Sequence, residues 1–300
     1  LAIELAAGRA HVLGPAEMRA RLVRRFEVLS RRTPHSGDRH ARLEAAIEAS
    51  WVALSSTEQS ALMQCGIFAG GFTLESAEQV VDLQGAEVLD AVGALRDRSL
   101  LTTEAGAGGT RFNLLASIRA FAAARRAELG QDDALLDRHA RCFADAAERY
   151  GDRLFRTGEG PARRWLEREQ ENLLAAVRTL LAKPASTWAS TAPPLVETAL
   201  AFDAVSLERS ASERIELLAA VHARAKAAGL GEATLARLCL AEGKILGSHG
   251  RAEEAIERLS QAAHLAERAG LPAVEAEAQN QLAVRHRQRS QFAASEALGL

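Results

Sequence analysis

Shifting the chain by 41 residues lays Ile215–Leu230 over Ile256–Leu271, and Ile, Glu, Leu, Ala, Ala, Gly and Leu coincide, seven of the 16 positions. A unit of that length holds two helices and cannot bury its apolar faces alone. Copies must stack, so this region is predicted to form a solenoid of helical hairpins. Gly243, Gly250 and Ala255 return as Ala283, Ser290 and Ser295 at a shift of 40, placing small residues where antiparallel helices approach closely. The composition agrees. Residues are 48% hydrophobic but only 4% aromatic, with much of the apolar share in alanine, which favours close-packed helices over sheets.

Ahead of the repeats the pattern changes. Leu1 to about Leu29 reads as two helices parted near Gly14-Pro15, and Arg31–Arg39 as a polar linker. Leu43–Leu54 is a further helix. Ser55 with Glu58 forms a capping box that starts the next, through Phe68. Phe68-Ala69-Gly70-Gly71-Phe72 then turns the chain into a short helix capped by Thr73 or Ser76, and Ala86–Arg98 is helical again. Leu100–Glu104 and Thr110–Leu115 flank a Gly-rich turn, the only strand signal, and Ser117–Leu129 ends at Gly130 as a C-cap. Three helices, a two-stranded wing and a closing helix make a winged-helix order. Asp132–Tyr150 and Gly160–Leu181 are long helices, and Lys183–Pro194 is a break.

Several chemistries lack support. A net charge of -2 gives no global attraction to nucleic acid or anionic membrane. No apolar run reaches the ~18 residues of a membrane span. Cys65, Cys142 and Cys239 are scattered and read as buried thiols in a reducing, cytoplasmic setting. His139 and Cys142 share a helical face, but two ligands make no zinc site. Gly106–Gly109 joins two strands rather than opening a helix, so it is a hairpin turn and no phosphate loop. No G-x-x-x-x-G-K-[ST] occurs, and Lys183, Lys226 and Lys244 lie outside Gly-rich loops, so no catalytic, metal or cofactor residue is assigned and the chain is not read as an enzyme.

Leu1–Ala7, Ala45–Trp51, Phe68–Thr73, Leu95–Leu100, Phe112–Ala122, and Trp165–Glu167 with Glu171–Ala176 together resemble the bacterial signal-transduction ATPases with numerous domains (the STAND type), relatives of LuxR-type transcriptional regulators. The resemblance covers essentially the whole chain and Phe68–Thr73 is its most specific part. It implies a residual helical subdomain over 1–38, a winged helix over 39–130, a helical linker over 131–194 and tetratricopeptide-like repeats over 195–300. It implies ATP or ADP in a nucleotide core upstream of Leu1, with this chain as a fragment of the longer protein. Where some relatives carry Met-His-Asp to reach the nucleotide phosphate, this sequence has Leu114, Leu115 and Ala116.

The expected fold class is therefore mainly α: a winged helix with one small β-hairpin, followed by an α-solenoid. The expected function is sensing a protein or small-molecule effector through the repeats and relaying it to the upstream ATPase core, with self-assembly as a further partner interaction and transcription as the controlled output. In tetratricopeptide-like repeats the first helix of each pair lines a groove, which assigns Arg237, Lys244, Asn280, Arg287 and Gln288 to partner binding, donors suited to an acidic or backbone-rich segment. Two alternatives stand beside this. One is direct DNA contact through Ala86–Arg98 and Arg111 of the wing; its charges, Glu87, Asp90 and Asp97 against Arg96 and Arg98, are near balance, so DNA is expected to be met through another domain. The other is a stand-alone helical scaffold.

Overall fold

The computed structural model describes residues 37–106, 109–130, 132–155 and 159–297. The expected helices over Leu1–Leu29 and most of the 1–38 subdomain lie outside them. The described chain opens with α1 (Gly37–Val52) and α2 (Ser56–Cys65), so part of the expected 31–39 linker is helical. The capping box forms at the start of α2: Ser55 N–H donates to Glu58 Oε2 at 2.7 Å and Glu58 N–H to Ser55 Oγ at 3.3 Å.

Residues from Ser60 onward make one compact unit. After α2 come β1 (Phe72–Thr73), α3 (Leu74–Val80), α4 (Val88–Asp97), β2 (Thr102–Gly106), β3 (Gly109–Asn113) and α5 (Ala116–Leu129). This is the expected winged-helix order with one addition. β1 pairs antiparallel with β3, Phe72 opposite Phe112 and Thr73 opposite Arg111, so the sheet has three strands in the order β1-β3-β2. A two-residue strand carries no periodicity of its own, so sequence shows only the hairpin. The hairpin reaches further toward its turn than expected, to the pair Gly106 and Gly109, while its open end starts at Thr102 and stops at Asn113 rather than at Leu100 and Leu115. Thr73 caps α3 with a box in which Ser76 takes the reciprocal place. Gly130 ends α5 with φ +63°.

The winged-helix core is small and aromatic at its centre. Phe68 and Phe72 pack with ring centroids 4.8 Å apart, and Phe72 stacks on Phe112 at 5.6 Å. Leu62, Cys65, Val80, Val92 and Leu95 close around them, all essentially without exposure. Burial holds the Cys65 thiol up near 12, so it behaves as an inert apolar group.

The helical array follows: α6 (Asp132–Gly151), a 3-10 turn (Asp152–Phe155), α7 (Glu159–Leu181), a second 3-10 turn (Ala185–Thr187), α8 (Trp188–Val205), α9 (Ala211–Ala227), α10 (Glu232–Ser248), α11 (Ala252–Ala269) and α12 (Pro272–Ala297). The expected break at 183–194 is shorter in the structure, because α8 runs through Pro193 and Pro194. Those prolines forfeit bonds to the carbonyls of Ala189 and Ser190, which belong to exposed residues and can turn to water. The 41-residue repeat places Ile215 on α9 and Ile256 on α11, equivalent helices of successive hairpins. Gly243 of α10 lies where an added Cβ would come within 2.7 Å of Leu259 on α11, so the repeated small residue permits close helix contact.

Candidate functional site

Three carbonyls in the Phe68–Phe72 turn point outward from a chain that is not in a helix at that point, and each needs a donor. Arg119 of α5 donates to Ala69 O at 2.5 Å. Arg111 of β3 donates to Gly70 O through Nε at 3.0 Å and Nη2 at 2.8 Å, and to Gly71 O at 3.1 Å. Asn172 Nδ2 of α7 donates to Gly71 O at 2.9 Å. The turn is thus grasped by the wing on one side and by the array on the other.

The grasp is completed by a buried carboxylate. Glu169 pairs with Arg111 through Nη1 and at 2.9 Å through Nη2, and accepts from Asn172 Nδ2 at 2.7 Å. Arg111, Glu169 and Asn172 are only 6%, 4% and 0% exposed. A pair that far from water is favourable only when its remaining lone pairs and protons are satisfied, and the Gly70 and Gly71 carbonyls do that. Arg111, the one wing residue that the DNA-contact alternative could use, therefore faces inward. Glu169 and Asn172 were not expected as functional residues at all. The available signal was their i, i+3 spacing on the apolar side of α7, between Leu166 and Leu173.

His139 of α6 sits behind this cluster. It packs on Phe143 at 4.7 Å and Phe68 at 5.6 Å, fully buried. Neither ring nitrogen has a hydrogen-bond partner among the described residues, nor does Asn172 Oδ1. Burial lowers its pKa to about 4, against the raising effect of the Asn172 amide and with a smaller lowering effect of Arg126. The imidazole is neutral in the fold and takes up a proton only on unfolding between about 4 and the ordinary value of 6.5. Its contribution to stability is complete above pH 6.5 and is lost as pH falls toward 4. Going from pH 7 to pH 5 is expected to remove about 2 kcal/mol, and a His139→Leu variant should lack that part of the slope. Urea melts of both proteins at the two pH values check it; identical slopes would show that His139 does not stay neutral.

The face that would enter a DNA groove is α4. Leu89 is exposed there, with Glu87, Asp90 and Asp97 against Arg96 and Arg98. Arg96 is turned onto its own neighbour, with Nη2 2.8 Å from Asp97 Oδ1. The face offers phosphates little net positive charge.

The five residues assigned to partner binding lie on α10 and α12. Arg237 is bound to Glu197 of α8 at 2.5 and 2.8 Å, and Lys244 to Glu277 of α12 at 3.2 Å. Gln288 accepts from Arg285 at 2.9 Å. Asn280 and Arg287 are exposed. Two of the donors are thus spent tying successive first helices together, and further in, buried Glu242 of α10 meets His222 of α9 and Arg258 of α11, both at 3.1 Å. The described residues hold no group of three or more metal-ligating side chains and no helix long and apolar enough to cross a membrane.

Residues 54–127 match the family described as winged helix-turn-helix domain. An uncharacterized protein of Mycobacterium tuberculosis is 34% identical over 143 residues, covering 46% of this chain and 36% of its own. A second M. tuberculosis protein, provisionally named an HTH-type transcriptional regulator, is 33% identical over 136 residues, covering 44% of this chain and 15% of its own. The chain therefore spans about a third or less of the length of these relatives. No solved structure matches it. The chain carries a winged helix-turn-helix domain. A helical repeat region follows it in the chain.

Proposed function

We propose that this chain is the regulatory part of a DNA-binding transcriptional regulator, a reading supported by the domain match and the regulator-named relative, and that its winged helix transmits the state of the helical array to a nucleotide-dependent switch of the signal-transduction ATPase type. The observation that carries this is the grasp on Ala69, Gly70 and Gly71 by Arg119, Arg111 and Asn172. It ties wing, turn and α7 together, so a displacement of the array is passed to the winged helix rather than absorbed in a linker. ATP or ADP acts upstream, the effector acts on the array, and Asn280, Arg287 and the amide N–H of Gln288 are the donors left exposed for a protein partner.

Differential contacts with two states supply the free energy of such a relay. The test is hydrogen exchange on the parent protein with ATP or ADP. Amides of 68–73 and 109–113 should change protection together with those of α7. Independent responses of the wing and α7 would end the relay reading. A second reading, direct DNA contact through α4, is favoured by the domain match. It predicts duplex binding by this chain with log K falling steeply against log salt. With Arg96 held by Asp97 and three acids on the face, the expected result is a Kd no tighter than about 100 μM at physiological salt. Micromolar binding with a salt slope of several units would make α4 the DNA-reading helix.

A further inference from the structure

A cleft of about 410 Å³ opens between the wing and α7. It is lined by Gly70 of the turn, by Glu104, Gly106, Arg111 and Asn113 of the wing, and by Glu167 and Arg168 of α7. Two of the lining residues are glycines in close quarters. A Cβ on Gly106 would stand 3.1 Å from the Arg168 guanidinium, and one on Gly70 3.1 Å from Glu171 Cβ.

The charges lining the cleft divide into two kinds. Arg111 is already neutralised by Glu169 and by the turn carbonyls. The exposed side chains of Glu104, Glu167 and Arg168 have no hydrogen bond or ion pair among the described residues. Two carboxylates and one guanidinium leave the cleft one negative charge in excess. The complement is a small molecule with one carboxylate and two cationic groups. A guanidinium takes a carboxylate in a planar, two-point contact that an ammonium cannot match, and carboxylates take ammonium or guanidinium groups in charge-assisted bonds. The volume lies in the lower part of the range for small-molecule sites and is ample for a free amino acid.

We propose that this cleft binds a basic α-amino acid, its carboxylate on Arg168 and its two cationic groups on Glu104 and Glu167. The occupant spans the wing and α7, so it stiffens the same junction that the turn forms. Binding in the cleft needs neither a nucleotide upstream nor an effector on the array, so this proposal survives or fails independently of the relay even though both involve Gly70 and Arg111.

The test is calorimetric titration of the 300-residue chain with L-lysine and L-arginine, beside cadaverine, which lacks the carboxylate, and L-glutamate, which reverses the charge. Lysine or arginine is expected to bind with a Kd on the order of 0.1–1 mM. Cadaverine and glutamate should bind at least about tenfold more weakly. Glu104→Gln and Glu167→Gln should each weaken lysine about tenfold, and Arg168→Ala should erase the preference for lysine over cadaverine. All three side chains are exposed, so the variants keep the fold. Absence of heat with both basic amino acids overturns the proposal. So does binding that ignores all three substitutions, which would place the amino acid elsewhere.

Discussion

Replacing Arg111 by alanine is expected to destabilise the chain by about 3–5 kcal/mol, the range for breaking a buried pair by removing one partner. The loss has three parts. Glu169 is left charged with 4% exposure and only Asn172 to bond it. Gly70 O loses both its donors, and Gly71 O keeps only Asn172. The space left by the guanidinium opens toward the cleft, so water reaches part of the site and holds the effect below that of a sealed cavity. Removing the pair as a unit isolates the electrostatics. Arg111→Met with Glu169→Leu should recover most of the loss while leaving the turn carbonyls short of a donor. Urea unfolding of the two singles and the double gives the coupling directly. A loss under about 1 kcal/mol for Arg111→Ala would mean that the pair is screened like an exposed one, and the rigid junction would lose its support.

The sequence made the elements readable and the junction nearly invisible, for a physical reason. Helices such as α7 and α10 announce themselves through apolar spacing, and the repeat shows in Ile215 and Ile256 because the same packing recurs. The winged helix follows from the hairpin, from Thr73 as a cap and from Gly130 as a stop, all local signals. Arg111 lies 58 residues before Glu169 and further still from Asn172, across the contact between β3 and α7, and only the fold brings it to them. On sequence alone, Arg111 offers only a candidate for the DNA-contact alternative, and Glu169 and Asn172 carry no signal that they face it. The same limit applies to Arg237 and Lys244. Their presence on the first helices of hairpins was readable, but Glu197 and Glu277, which hold them, stand one helix away. β1 escaped because two residues show no alternation.

Gly71→Ala is expected to cost about 3–5 kcal/mol, while Gly70→Ala, one residue away, should cost only about 1 kcal/mol. The difference is geometric. Gly71 has φ +80°, a region where an L side chain is strained. An added Cβ would also fall 2.7 Å from Phe112 O and closer still to Asn113 Oδ1. Phe112 cannot retreat, since it is paired with Phe72 in the sheet and stacked on its ring. Gly70 has no such backbone demand, and its Cβ would meet Glu171 Cβ at 3.1 Å, a contact that a few tenths of an ångström relieve. The expected ordering therefore follows from the path of the turn and not from glycine content. Because Gly71 O is the carbonyl shared by Arg111 and Asn172, displacing it loosens the wing and α7 together. Hydrogen exchange of Gly71→Ala should then show faster exchange in β3 and in the middle of α7 at once. Equal destabilisation by the two alanines, or exchange that rises in β3 alone, would show that the turn bends freely and does not join the two halves.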